Sequence, residues 1–207
     1  MAKNKKETNA EDLFELLNSI SKYIKIKIKM YAMGGTAITI LGIKPSTLDI
    51  DIDIYPDKEY QYICKIFEQI GFKRKGTIRW QTQEGLFFDL FSGSNILGTE
   101  LLPDFLNKSK FIKTFGNIEL YTLSLEDIII SKLARGDPRD FTDIKKIFET
   151  QQINIPRLVR RYKETMETSI VSNYKQKLLD LIEIEFNNWG FKLNQKIINE
   201  VKKWQEI

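Results

Sequence analysis

Residues 48–55 read Leu-Asp-Ile-Asp-Ile-Asp-Ile-Tyr, an unbroken alternation of acid and isoleucine between the flanking apolar residues. Side chains two apart in a strand share a face. The segment therefore reads as a strand with Asp49, Asp51 and Asp53 on one face and Ile50, Ile52 and Ile54 on the other. Carboxylates spaced about 6–7 Å along one face repel each other unless a cation or solvent lies between them. Taken alone, such a strand is either a solvated acidic edge or one wall of a cation site. What precedes it favours the second reading. Gly34-Gly35 opens the short apolar helix TAITILG, and the turn Lys44-Pro45-Ser46-Thr47 follows. Glycines let backbone amides approach a phosphate, and unpaired N–H groups at a helix start attract anions. A phosphate cradle followed closely by paired carboxylates is what a metal–nucleotide site requires.

A second apolar strand, GLFFDLF at 85–91, carries Asp89 among Phe88, Leu90 and Phe91. A carboxylate there either faces solvent or is costly to bury without a partner or a metal. Placed beside the Asp49 strand it completes a three-carboxylate site able to hold two metals about 3.5–4 Å apart. Histidine is absent from all 207 residues. That excludes Ser-His-Asp triads, Cys-His pairs and zinc sites of the Cys/His kind. Proton transfer falls to carboxylates, lysine or tyrosine, and an oxygen-only site suits magnesium or manganese. The single cysteine, Cys64, occupies an apolar position of a helical pattern and reads as a buried thiol. A net charge of +4 is compatible with a polyanionic partner without demanding one.

Along the chain, 11–23 has helical periodicity, and the Ile/Lys alternation from Tyr23 reads as a half-buried strand ending at Gly34-Gly35. Residues 57–70 read as a helix stopped by Gly71, and FKRKGTIRWQT and GLFFDLF as neighbouring strands. KFIKTF and IELYTL form a further pair joined at Gly116-Asn117, and SLEDIIISKLAR is a helix. After Gly136-Asp137-Pro138 helices are expected near 139–150, 156–168, 171–188 and 193–205. The expected fold is α+β: a mixed sheet flanked by helices over 1–122, then an α-helical bundle over 123–207. No apolar run approaches the roughly 18–20 residues of a membrane span, and the polar N-terminus lacks a signal-peptide core, which points to a cytoplasmic protein without membrane contact. Arg157, Arg160, Arg161 and Lys163 group along one helix, as a solvated basic face or as a landing surface for RNA.

Together these segments resemble the signature of the nucleotidyltransferase superfamily related to DNA polymerase β. That signature is hydrophobic-Gly-Gly/Ser, a spacer, Asp-hydrophobic-Asp, and a third Asp on a later strand. The chain is most similar to the bacterial and archaeal group that includes the AbiEii toxins and minimal nucleotidyltransferases. Its matches are Gly34-Gly35-Thr36-Ala37, Lys44-Pro45-Ser46-Thr47, Asp49-Ile50-Asp51 and Asp89. Ser131-Lys132 and Arg139-Asp140-Phe141-Thr142-Asp143 fit the group's later helix and basic-Asp-x-x-Asp segment. The resemblance implies a nucleotidyltransferase-like sheet and transfer of a nucleotide from a nucleoside triphosphate, with Mg2+ or Mn2+, to a hydroxyl of RNA, tRNA, a protein or a small molecule. It implies metal-holding roles for Asp49, Asp51 and Asp89, with Asp89 also taking up the acceptor's proton. Gly34, Gly35 and Thr36 would meet the β- and γ-phosphates, with Lys44, Thr47, Lys132 and Asp143 as further nucleotide-binding residues. The third alternating acid leaves a second pairing open, Asp51 with Asp53, although the spacing from Thr47 favours Asp49 and Asp51. The resemblance also implies a toxin of a toxin–antitoxin or phage-defence pair, with a cognate antitoxin as partner. The alternative is a catalytically silent binding module on the same fold.

Overall fold

The structure, a computed structural model, describes residues 7–205. In chain order the elements are α1 (Ala10–Ser21), β1 (Ile28–Ala32), α2 (Gly34–Ile40), β2 (Asp49–Asp53), α3 (Asp57–Gln69), β3 (Lys73–Arg74), β4 (Arg79–Gln81) and β5 (Phe87–Phe91). Then come β6 (Asn95–Ile96), β7 (Thr99–Glu100), α4 (Phe105–Lys108), β8 (Lys110–Phe115) and β9 (Ile118–Thr122). The rest is helical: α5 (Leu125–Arg135), α6 (Pro138–Thr150), α7 (Ile155–Met166), α8 (Tyr174–Leu179), a π-helical stretch over Asp180–Glu185, α9 (Phe186–Asn188) and α10 (Gln195–Lys203).

Contacts divide the chain into two compact units. The first takes the described residues up to Gly93 together with Asp104–Ser124; the second takes Ser94–Pro103 and the described residues from Leu125 onward. The first unit holds a seven-stranded sheet in the order β3-β4-β5-β2-β1-β9-β8. It is mixed: β2 runs parallel to β5 and β1 parallel to β9, whereas β1 and β2 are antiparallel. The expected mixed sheet flanked by helices is therefore what forms. Ile50 and Ile52 are buried along β2, and Phe67, Trp80 and Phe88 make an edge-to-face aromatic core with centroids 5.3 and 5.7 Å from Phe67. Cys64 is a buried free thiol on α3, as its position in the pattern implied.

The first strand is shorter than its alternation suggested. Pairing of β1 with β9 begins at Ile28 opposite Ile118, so residues 23–27 have no partner strand there, and Ile26 is left 47% exposed. Alternation can make a strand only where a neighbour supplies hydrogen bonds.

In the second unit the helices pack on one another, and the β6–β7 hairpin lies with them. The Glu100 amide donates to Ser169 Oγ at 2.8 Å, and the Ile170 amide to the Gly98 carbonyl at 2.9 Å. The run expected as one helix over 171–188 is interrupted by the π-helical stretch at Asp180–Glu185. Among the described residues no helix is long and apolar enough to cross a membrane.

Candidate active site

The site lies in the sheet unit and is built from strand register. Parallel pairing of β2 with β5 sets Asp51 directly opposite Asp89, and antiparallel pairing of β4 with β5 sets Arg79 opposite Asp89. Directly paired residues share a sheet face. Asp49, Asp51, Asp89 and Arg79 thus belong to one face. Asp49 and Asp51 are half-buried, while Asp89 is 7% exposed.

Two threonines, Thr36 on α2 and Thr47 in the turn before β2, fasten these segments to the strand. Thr36 Oγ1 donates to the Asp49 carbonyl at 3.1 Å and accepts the Asp51 amide at 2.8 Å. Thr47 Oγ1 donates to the same Asp49 carbonyl at 3.0 Å. The two glycines are required by close approach. Gly34 has φ +54°, and a Cβ there would stand 3.0 Å from Asp51 Oδ2. A Cβ on Gly35 would stand 2.7 Å from Thr47 Oγ1 and 3.0 Å from Lys44 Nζ. The structure therefore gathers Gly34, Gly35, Thr36, Lys44 and Thr47 around Asp49 and Asp51. The Thr36 side chain is fully buried and committed to the backbone of β2, which leaves its hydroxyl a structural tie rather than a phosphate contact.

Arg79 is the residue that sequence reasoning missed. Its Nε and Nη2 donate to the two oxygens of Asp89 at 2.7 and 2.5 Å, and Nη2 lies 3.5 Å from Asp49 Oδ1. The guanidinium also stacks over Phe87, 5.3 Å from its centroid. The hydrogen bonds it donates to Asp89 hold its pKa well above the ordinary arginine value. The available signal was alternation: Trp80 is buried, so Arg79 must face the other side, with Asp89. No motif marks it.

The carboxylates share a face without converging. Among the described residues no three His, Cys, Asp or Glu side chains are gathered as a metal site, and the cation between Asp49 and Asp89 is Arg79. The donors themselves fit a hard cation. They are oxygens only, on adjacent parallel strands, beside a backbone kept bare at Gly34. Asp53 does not join them. It is fully buried, and neither carboxylate oxygen has a hydrogen-bond partner. Burial raises its pKa to about 7, and the amides of Ile54 and Gly93, which approach it without closing regular hydrogen bonds, lower it only in part. Asp51 with Asp53 is therefore the less suitable metal pair.

The remaining expected residues lie in the helical unit. Lys132 is 3% exposed, held by Asp143 at 2.6 Å and Asp140 at 3.3 Å. Burial raises Asp140, but hydrogen bonds from Arg135 and the charge of Lys132 outweigh it and hold the carboxyl below its usual pKa. Arg161 leaves the basic surface expected for RNA: it is buried, with Nε and Nη2 on the two oxygens of Asp127 at 2.7 and 2.9 Å. Arg160 is exposed, and Arg157 is exposed while bonded to Glu126 at 3.0 Å.

With this geometry in view, comparison with known proteins is informative at one level. A family described as "nucleotidyltransferase of unknown function (DUF6036)" matches residues 10–193. The chain belongs to that family. The match spans the sheet unit and most of the helical unit. A solved structure from Thermotoga maritima, described provisionally as a nucleotidyltransferase, shares 16% identity with a TM-score of 0.44, over 72% of this chain and 99% of that one. That likeness is too distant to argue from. No curated protein matches the chain.

Proposed function

We propose that this nucleotidyltransferase moves a nucleoside monophosphate from a nucleoside triphosphate to a hydroxyl acceptor, breaking the bond between the α- and β-phosphates and releasing pyrophosphate, with Asp49, Asp51 and Asp89 holding Mg2+ or Mn2+. The observation that carries the reading is Asp51 in register with Asp89 on adjacent parallel strands, beside the bare backbone of Gly34 and Gly35. When bound, a divalent cation at these carboxylates supplies charge neutralisation and alignment for phosphoryl transfer. The chain's own residues do the rest. Gly34 and Gly35 leave room for a phosphate to meet the backbone, and Lys44, whose Nζ stands over Gly35, balances its charge. Asp89 takes the acceptor's proton, since the chain has no histidine to do so. Arg79 must first give up Asp89. Lys132 and Asp143, expected at the nucleotide, are engaged with each other inside the helical unit. The resemblance implies RNA, a protein or a small molecule as acceptor, and a toxin of the AbiEii kind acting in the cytoplasm against a cognate antitoxin as biological role; Arg157 and Arg160 are the exposed arginines of the basic group on α7.

The test is transfer of label from each α-labelled nucleoside triphosphate, with Mg2+ or Mn2+, into total RNA or into the protein itself. Asp51→Asn and Asp89→Asn should abolish it, on the order of a thousandfold, while the loss of the Arg79 fork in Asp89→Asn costs no more than about 1 kcal/mol of stability. Wild-type protein that neither transfers label nor binds triphosphate in a metal-dependent way by calorimetry would sink the proposal. A second reading has one specific observation behind it. Arg79 already bonds both oxygens of Asp89 and reaches Asp49, as it would in a binding module that keeps the fold without chemistry.

A further inference from the structure

The carboxylate face of the sheet does not end at Asp53. Register continues it across three more strands: Asp53 lies opposite Tyr31, Tyr31 opposite Tyr121, and Tyr121 opposite Phe111. The rings meet accordingly. Tyr31 and Tyr121 are stacked with centroids 5.3 Å apart and 27° between planes, and Phe111 meets Tyr121 edge-on at 5.4 Å. Tyr31 is buried and backed by Phe105 at 6.2 Å, whereas Phe111 is 51% exposed. This cross-strand row lies one same-face step, about 6–7 Å along the strand, from the row of Asp51, Asp89 and Arg79.

A cavity of about 490 Å³ opens over the Tyr31 and Tyr121 part of the row. Beyond Tyr31 and Tyr121 its walls carry exposed Lys27 and Lys29, exposed Tyr55, and the carboxylates of Glu59 and Glu119. Lys29 Nζ stands 5.6 Å from the Tyr121 ring centroid, and the Tyr121 hydroxyl donates to Glu119 at 3.2 Å. Two lysines and two glutamates rule against a lipid or other wholly apolar guest. Flat rings, flanking ammonium groups and carboxylate acceptors match a heteroaromatic base that carries N–H donors and a phosphate. Stacking of this kind tolerates any base, which suits single strands.

We propose that Tyr121, supported by Tyr31 and flanked by Phe111, is a stacking platform for a nucleobase of a single-stranded RNA acceptor, with Lys27 and Lys29 on its phosphates. The proposal rests on the nucleotidyl-transfer reading only for what the RNA is doing there; RNA binding at the platform stands or falls by itself. Its position one step from Asp51 places the stacked nucleotide within a nucleotide's length of the carboxylates.

The test is fluorescence anisotropy of a short labelled single-stranded RNA at low salt, with calorimetry of nucleoside triphosphate binding on the same proteins. Tyr121→Ala should weaken RNA binding about five- to a hundredfold, Tyr121→Phe should retain it, and triphosphate binding should be equal in all three. Retention by the phenylalanine variant separates stacking from the bond to Glu119 and from misfolding. Charge reversal at Lys27 and Lys29 should weaken RNA binding and flatten its salt dependence. Wild-type affinity in Tyr121→Ala, or no RNA binding by the wild type, overturns the platform. Loss of triphosphate binding in Tyr121→Ala with RNA binding intact assigns the ring to the donor base and overturns the acceptor assignment. A wild type that binds RNA at the platform but no triphosphate leaves the platform standing and removes the catalytic reading instead.

Discussion

At Arg79 two demands compete for the same oxygens. The guanidinium satisfies Asp89 in a two-bond fork and takes part of the charge of Asp49, while a divalent cation needs those carboxylates for itself. About a third of the arginine side chain is exposed, so solvent screening limits the ion pair to about 1 kcal/mol. Arg79→Gln should therefore bind Mn2+ roughly three- to fivefold more tightly than the wild type, read by titration with the metal alone. Equal affinity would mean that Arg79 does not compete at Asp89. Asp53, two residues beyond Asp51, poses a different problem. Its pKa rises from 3.8 to about 7 on folding because burial disfavours the charged form. The folded chain keeps this proton where the unfolded chain has lost it, so stability falls as pH climbs from about 4 to 7 and stays lower above that. At about 1.4 kcal/mol per pH unit the loss is at most about 4 kcal/mol. Asp53→Asn should remove that slope from urea unfolding measured between those pH values. A slope identical to the wild type's would show that Asp53 is not the titrating group.

The first turn of α2 converts local chemistry into site geometry. Thr36 alone bridges two points of β2, giving a hydrogen to the Asp49 carbonyl and accepting one from the Asp51 amide. Thr36→Val keeps the shape and loses both bonds, stranding a part-buried N–H on β2, which should cost about 1–3 kcal/mol in urea unfolding. Thr36→Ser should restore most of it; a valine variant as stable as the wild type would mean that water satisfies the amide. The elements around this clamp were legible for definite reasons. The Asp/Ile alternation of β2 has one solution once a face is buried, and Gly34-Gly35 marks the close approach that Asp51 and Lys44 now define. The pairings of β4 with β5 and of β8 with β9 were legible from neighbouring apolar runs, but register was not. Nothing local says that β1 gains a partner only from Ile28, or that register sets Arg79 opposite Asp89. For the same reason the aromatic row across β1, β9 and β8 could not be read in advance: its members come from three separate segments.

For the whole molecule, the division of labour between the two cores follows how each handles charge. The sheet unit keeps Asp49 and Asp51 half-buried on one face, where a ligand can reach them. The helical unit instead closes its charges into buried pairs, Arg161 on Asp127 and Lys132 on Asp140 and Asp143. A helical pattern shows which residues share a face, but it does not show which of them is turned inward to an acid from another helix. Arg161 reads as one of a basic group on α7 yet belongs to the interior, because α5 presents Asp127 to it and an acid buried at that depth requires a partner. Breaking such a pair strands the other charge. Arg161→Ala should cost about 3–5 kcal/mol, far more than the loss of exposed Arg160, which should stay within about 0.5 kcal/mol. Hydrogen exchange gives the location as well as the size of the effect. Protection should drop across α5 and α7, whereas β1, β2 and β5 should exchange as in the wild type. Weakened protection along β2 and β5 would mean that the sheet unit does not hold its own stability, and the carboxylate face would then depend on the helical unit for its geometry.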